Sequence, residues 1–124
     1  MLETGLTHTS VTVVSEKNWA LTLGSGDMEV LATPAMVALM ENAAMLAVAN
    51  ELPEGSSTVG SMIETSHLRP SATGATIEAK ATLTEVDGRK LTFKVEAHDG
   101  ETLIGEGTHI RFIVDRAKFL SKLK

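Results

Sequence analysis

The sequence predicts an α+β domain in which a curved antiparallel sheet packs around one long helix. Three observations carry that expectation. From Pro34 to Asn50 the chain reads PAMVALMENAAMLAVAN, an apolar helical stretch in which Glu41 is the only charge among 17 residues. After it the pattern changes to the alternation of half-buried strands. Two of the connections carry Asp-Gly, at Asp87-Gly88 and Asp99-Gly100, a pair suited to tight hairpins.

Taken in order, Thr7 to Val14 (THTSVTVV) is rich in Thr and Val and is expected as the first strand. A looser stretch through Leu23, Gly24 and Gly26 leads to the helix. Thr33 is placed as its N-cap, with Pro34 at the first helical position, where a missing N–H costs nothing. The helix is expected to run to about Asn50 or Glu51 and to stop at Pro53 and Gly55. Strands are then expected over Ser61–Arg69, Ala75–Val86, Lys90–His98 and Thr102–Val114, joined by tight turns into an antiparallel meander. In the second of these, Ile77, Ala79, Ala81, Leu83 and Glu85 share one face, while Thr76, Glu78, Lys80, Thr82 and Thr84 share the wet one. A last short helix from about Asp115 carries Phe119, Leu120 and Leu123. One greasy helix with four or five long antiparallel strands, in a single domain over residues 1–124, is the pattern of the hot-dog fold. Such a sheet leaves edge strands unpaired, so an edge-to-edge homodimer is the expected minimum.

Composition narrows the function classes. A chain of 124 residues buries about two thirds of the surface its unfolded form exposes, enough for one core. With no cysteine, neither disulfides nor thiolate metal sites are available, which suits a cytoplasmic setting. The net charge is −5 and no Lys/Arg block precedes the last few residues, so a phosphate track for nucleic acid is not expected. Only Trp19, Phe93, Phe112 and Phe119 are aromatic, too few for a base-stacking platform. No basic leader with an apolar core opens the chain, and no run reaches the ~18 apolar residues of a membrane span, so no membrane partner is expected.

Three polar residues interrupt apolar or strand context: Thr33 at the helix start, Glu41 two turns later, and His67 in the first strand after the helix. Burying an unpaired carboxylate costs several kcal/mol, so Glu41 has a partner, is protonated, or lies on a narrow solvent-facing sector beside Asn42. Eight helical residues advance about 12 Å, so Thr33 and Glu41 do not touch within one chain unless the chain bends at the cap, although they can converge across a dimer interface. His67 can hydrogen-bond a carboxylate or a water as a neutral imidazole. Thr33 as a plain cap and His67 as a structural histidine are the bland alternatives, and spacing alone does not choose. His8, His98 and His109 are given structural or surface roles, and His109 has no nearby His or Cys to make a metal site.

The segments ATPAMVALMENAA, TVGSMIETSHLRPSATG, AHDG and GTHIRFIVDRAKF resemble those of the fluoroacetyl-CoA thioesterase type of hot-dog protein, in order and spacing, from about Ala32 to the C-terminus. In that family the catalytic set is a Thr at the start of the central helix, a Glu eight residues on and a His twenty-six residues further, positions held here by Thr33, Glu41 and His67. The resemblance also assigns a backbone amide facing the thioester to Gly60 and a substrate-proximal arginine to Arg111. It implies hydrolysis of a short acyl-CoA thioester, with no metal or other cofactor. Gly60 N–H would then meet the developing oxyanion, and Glu41 and His67 would supply base and acid. Thr33 would either attack or orient a water, the water being favoured because no base is visible beside Thr33 in the sequence. Arg69, Arg111, Arg116 and Lys118 are candidates for the CoA phosphates. The family's fluoroacetyl-specific member has a longer, phenylalanine-bearing lid ahead of the helix. Here that segment is LTLGSGDMEVL, and no Phe precedes Phe93. The rival expectations are a non-catalytic acyl-CoA or small-ligand binding module, and a hydratase or dehydratase of the same fold.

Overall fold

The computed structural model describes residues 1–124. Five strands form one antiparallel sheet: β1 (Thr7–Val13), β2 (Ser56–His67), β3 (Thr76–Asp87), β4 (Lys90–Asp99) and β5 (Thr102–Asp115). Their order is β1-β3-β4-β5-β2, so the Asp-Gly turns do make a β3-β4-β5 meander, while β1 and β2 take the two edges. The sequence expectation placed the first strand after the helix at Ser61. Ser57 instead pairs with Val114 and Ser56 with Asp115, which carries β2 five residues further back through a Ser-rich start that lacks apolar alternation. Three helices complete the chain: α1 (Ala20–Leu23), α2 (Thr33–Val48), continued by a 3-10 turn over Ala49–Glu51, and α3 (Arg116–Ser121).

Helix α2 lays Met36, Met40, Ala43, Ala44, Ala47 and Val48 on the sheet, a stripe at helical spacing. The sheet answers with Ile77, Ala79, Ala81 and Leu83 from β3 and Leu91, Phe93, Val95 and Ala97 from β4. Glu85 departs from the covered face because the pairing shifts between Leu83 and Glu85. Asn42, on the open side of α2, accepts from the Ser10 hydroxyl at 2.6 Å and so ties the helix to β1. One side of the helix is open: Ala38, Asn42, Leu46 and Ala49 are exposed, and the adjoining row Val37, Glu41 and Met45 is half-buried. No helix is long and apolar enough to cross a membrane.

Candidate active site

The first residue of α2 and the last residue of β2 meet. Ala32, not Thr33, is the N-cap of α2, and Thr33 makes no capping bond. Its hydroxyl is instead hydrogen-bonded to His67 Nδ1 at 2.7 Å. His67 Nε2 is buried without a protein partner. Burial pushes the imidazole below the ordinary histidine range, opposed by the nearby Arg69 backbone, whose approach falls short of a hydrogen bond. A neutral ring with one nitrogen on a hydroxyl is the state a general base requires. Both residues open onto a cavity of about 260 Å3, with Ala20, Val30, Leu31 and Arg69 among its walls.

Glu41 belongs to a second cluster. Gly60 stands opposite Arg111 in the β2–β5 ladder, and the pairing skips Ser61 before resuming at Met62. The missing side chain of Gly60 leaves room for Glu41, whose Oε2 lies 3.2 Å from where a Cβ would stand, with His109 Cε1 at 3.2 Å and Arg111 Nη1 at 3.5 Å. Arg111 is only 7% exposed. It donates from Nε to Thr58 Oγ1 at 2.7 Å and from Nη2 to the Thr58 carbonyl at 2.8 Å. Its Nη1 lies 3.2 Å from His109 Nε2. Because a guanidinium can only donate, His109 Nε2 must accept, which leaves Nδ1–H to donate to the Met62 carbonyl at 2.7 Å. His109 is therefore neutral, and burial holds its imidazole below the ordinary range, with the Met62 carbonyl opposing, Arg111 assisting and Glu41 opposing. Burial also lowers Arg111, against the attraction of Glu41. The carboxylate and guanidinium interact across the cluster without forming a contact ion pair.

The five expected site residues thus fall into two groups within one chain, Thr33 with His67 and Glu41 with Gly60 and Arg111. Arg69 borders the first group, whereas Arg116 and Lys118 lie at the opposite end of β2. His109, given a structural or surface role from the sequence, is 1% exposed and sits inside the second group. Its signal was legible: His109 and Arg111 alternate with Ile110 and Phe112. The covered face is the polar pair, while Phe112 is 38% exposed.

A five-stranded antiparallel sheet laid against one long helix is the architecture of the hot-dog proteins. The particular family follows from comparison with known proteins. The family model for fluoroacetyl-CoA-specific thioesterase matches residues 14–117, reaching further upstream than the motifs that begin near Ala32. The fluoroacetyl-CoA thioesterase of Streptantibioticus cattleyicolor is 41% identical over 96 residues, covering 77% of this chain and 69% of that protein. A crystal structure of fluoroacetyl-CoA thioesterase superposes with a TM-score of 0.92 at 34% identity, covering 99% of this chain and 96% of that one. A thioesterase-superfamily protein of Thermus thermophilus superposes with a TM-score of 0.90 at 27% identity, over 99% of this chain and 91% of its own. The chain belongs to the fluoroacetyl-CoA-specific thioesterase family and is a hydrolase acting on thioester bonds.

Proposed function

We propose that the protein hydrolyses a short acyl-CoA to the free acid and CoA, in an active site that joins Thr33 and His67 of one protomer to Glu41 and Gly60 of its partner. The observation that carries this reading is the division of the site. Thr33 and Glu41 are separated by about 12 Å of helix, several times the ~3 Å reach of a proton transfer. One two-fold axis repairs both separations. The midpoint of Thr33 and Glu41 on α2 is Val37, and that of Gly60 and His67 on β2 lies between Ile63 and Glu64. An axis near those points sets Thr33 against the partner's Glu41 and His67 against the partner's Gly60. It also pairs the free edge of β2 and covers the open side of α2.

Thr33 then acts as nucleophile. The preference for a positioned water rested on the lack of a neighbouring base, and His67 at 2.7 Å supplies one. His67 takes the hydroxyl proton as Thr33 attacks the thioester carbonyl, and returns it to the departing thiolate of CoA. Charge on the carbonyl oxygen is met by the Gly60 N–H and by the positive end of α2. Glu41 accepts a proton from the water that attacks the acyl-threonine and passes it to the departing Thr33 oxygen, restoring the hydroxyl and releasing the acid. Arg111, held by Thr58 and His109, keeps positive charge near that carboxylate.

The acyl group is small, because the cavity beside Thr33 holds about 260 Å3. Known relatives act on fluoroacetyl-CoA, but the walls here mix Ala20, Val30, Leu31, Leu68 and Pro70 with Ser25 and Arg69, with no phenylalanine. We therefore assign short acyl-CoAs as a class. The test is a panel of such esters with detection of free thiol, combined with mass spectrometry of the quenched enzyme. Thiol release with an acyl group on Thr33 is expected; thiol release from an enzyme never acylated would return Thr33 to orienting water.

A further inference from the structure

We propose that the acyl group preferred by this site ends in a carboxylate, so that the substrates are short ω-carboxyacyl-CoAs. Arg69 binds the terminal carboxylate and the Ser25 hydroxyl donates to it. The inference rests on the acyl-CoA reading above and names the class of acyl group within it. Hydrolysis then yields CoA and a short dicarboxylic acid.

Charge in the cavity beside Thr33 is one-sided. Among its lining residues Arg69 alone is charged, and no acid faces it. Arg69 is in no ion pair, since the only one in the molecule joins the N-terminal amine to Glu51. Asp27 and Glu29 lie in the segment that leads to α2, yet neither enters this wall. In a chain of net charge −5, an uncompensated cation at the acyl end of the site favours an anion there. The acid that the proposed dimer adds, the partner's Glu41, works at the reacting carbonyl and so serves the other end of the acyl chain.

Reach and hydration agree with that assignment. Thr33 is bonded to His67 at 2.7 Å, and Arg69 follows His67 by two residues, about 7 Å of extended chain. An acyl chain of about four or five carbons crosses that distance with a hydrogen bond at its end. The planar guanidinium offers two parallel N–H groups, a fork that a carboxylate fills and a methyl terminus leaves idle. Ala20, Val30, Leu31 and Leu68 supply apolar wall for the methylene groups between. Arg69 also borders a second, open cavity of about 670 Å3 with Leu68, Thr102 and Leu103. Its exposure keeps the guanidinium hydrated on that side, so the incoming carboxylate is not stripped of all its water and the cost of burying an ion stays low.

The experiment uses the full chain and acyl-CoA pairs of equal length, succinyl against butyryl and glutaryl against pentanoyl, with uncatalysed thiol release subtracted. In at least one pair kcat/KM is expected to favour the carboxylated member by about tenfold or more, and Arg69→Gln to abolish that preference. Arg69→Lys, which keeps the charge and loses the fork, should retain part of it. Arg69 is exposed, so both variants should fold. Pantetheine esters of the same acids lack the CoA phosphates and should show the same preference. Equal rates within both pairs in the wild type overturn the proposal. So does an Arg69→Gln variant that slows both members of a pair alike, or a preference that vanishes in the pantetheine esters, since either gives Arg69 to the CoA phosphates. If no ester is hydrolysed, the thioesterase reading fails, and binding of glutaramate and of pentanamide, followed through the Arg69 Nε–H NMR signal, still decides this site. A shift with glutaramate alone supports the carboxylate site; a shift with neither, or with both, overturns it.

Discussion

Replacing Gly60 with alanine probes the second cluster with a single methyl group. The added carbon would stand 3.2 Å from Glu41 Oε2 and 3.2 Å from His109 Cε1. Gly60 is not among the positive-φ residues, so the backbone itself accepts alanine. The two neighbours respond differently. Glu41 ends a flexible side chain and swings away, whereas His109 is held by the Met62 carbonyl at 2.7 Å and yields only a few tenths of an ångström. That places the cost at the low end of overpacking, about 1 kcal/mol. In a chain of this size it corresponds to a drop of about 3–5 °C in thermal midpoint. Activity should suffer far more. A displaced carboxylate together with an obstructed amide is expected to lower kcat by roughly 10²–10³, the scale of losing an oxyanion donor. Gly107→Ala is the control, because its Cβ would fall 1.8 Å from the Glu64 carbonyl oxygen, a backbone atom that cannot yield. That variant should not fold. Differential scanning fluorimetry with kcat/KM on the best short acyl-CoA reads both effects. A folded Gly60→Ala enzyme with wild-type turnover would refute the placement of Gly60 at the reacting carbonyl, and one that unfolds like Gly107→Ala would refute the packing described for this cluster.

Other expectations follow from the same geometry. Glu41→Gln should lower turnover by roughly 10² or more while leaving the fold intact; full turnover on the best substrate would remove Glu41 from the mechanism. Because burial sets His67 below its ordinary value of 6.5, the acid limb of kcat/KM should inflect below pH 6.5, and an inflection above 6.5 would deny His67 the base role. His67 and His109 are both depressed in the folded chain, so the unfolded chain takes up their protons first. Their contribution to stability is complete above about pH 6.5 and is lost as pH falls towards the folded values, so thermal midpoints should decline on that side, less steeply in His109→Gln. Fluoroacetyl-CoA and acetyl-CoA should be hydrolysed with kcat/KM values far closer than several orders of magnitude, given the phenylalanine-free walls beside Thr33; a preference of that size would require another source of fluorine selection.

The helix and the meander were legible because each rests on local pattern, whereas Thr33, Glu41 and His67 stood out locally but were joined into one candidate set only by the family resemblance. Apolar periodicity marks α2, Asp-Gly marks the hairpins, and polar residues in apolar context mark Thr33, Glu41 and His67. What was not legible depends on distant pairing. No local signal says that β2 joins β5 rather than β3, and the serines at its start hide five residues of strand. Thr33 looks like a cap by residue type, yet its hydroxyl is taken by His67, 34 positions away in the chain. In β5 the alternation was plain but its face was not, since burying His109 and Arg111 instead of Phe112 makes sense only once Glu41 is known to face them. The acid in the apolar helix and the polar face of β5 explain each other, and neither does so alone.

The central claim is that each active site draws on two chains, and subunit complementation tests it directly. Thr33→Ala and Glu41→Gln proteins, each inactive, are mixed, unfolded and refolded together. If Thr33 of one protomer works with the partner's Glu41, half of the dimers are mixed and each carries one intact site, so activity should return to about a quarter of the wild-type level. If Thr33 and Glu41 act within one chain, every site in every dimer is damaged, and no recovery above the parent variants would contradict the account.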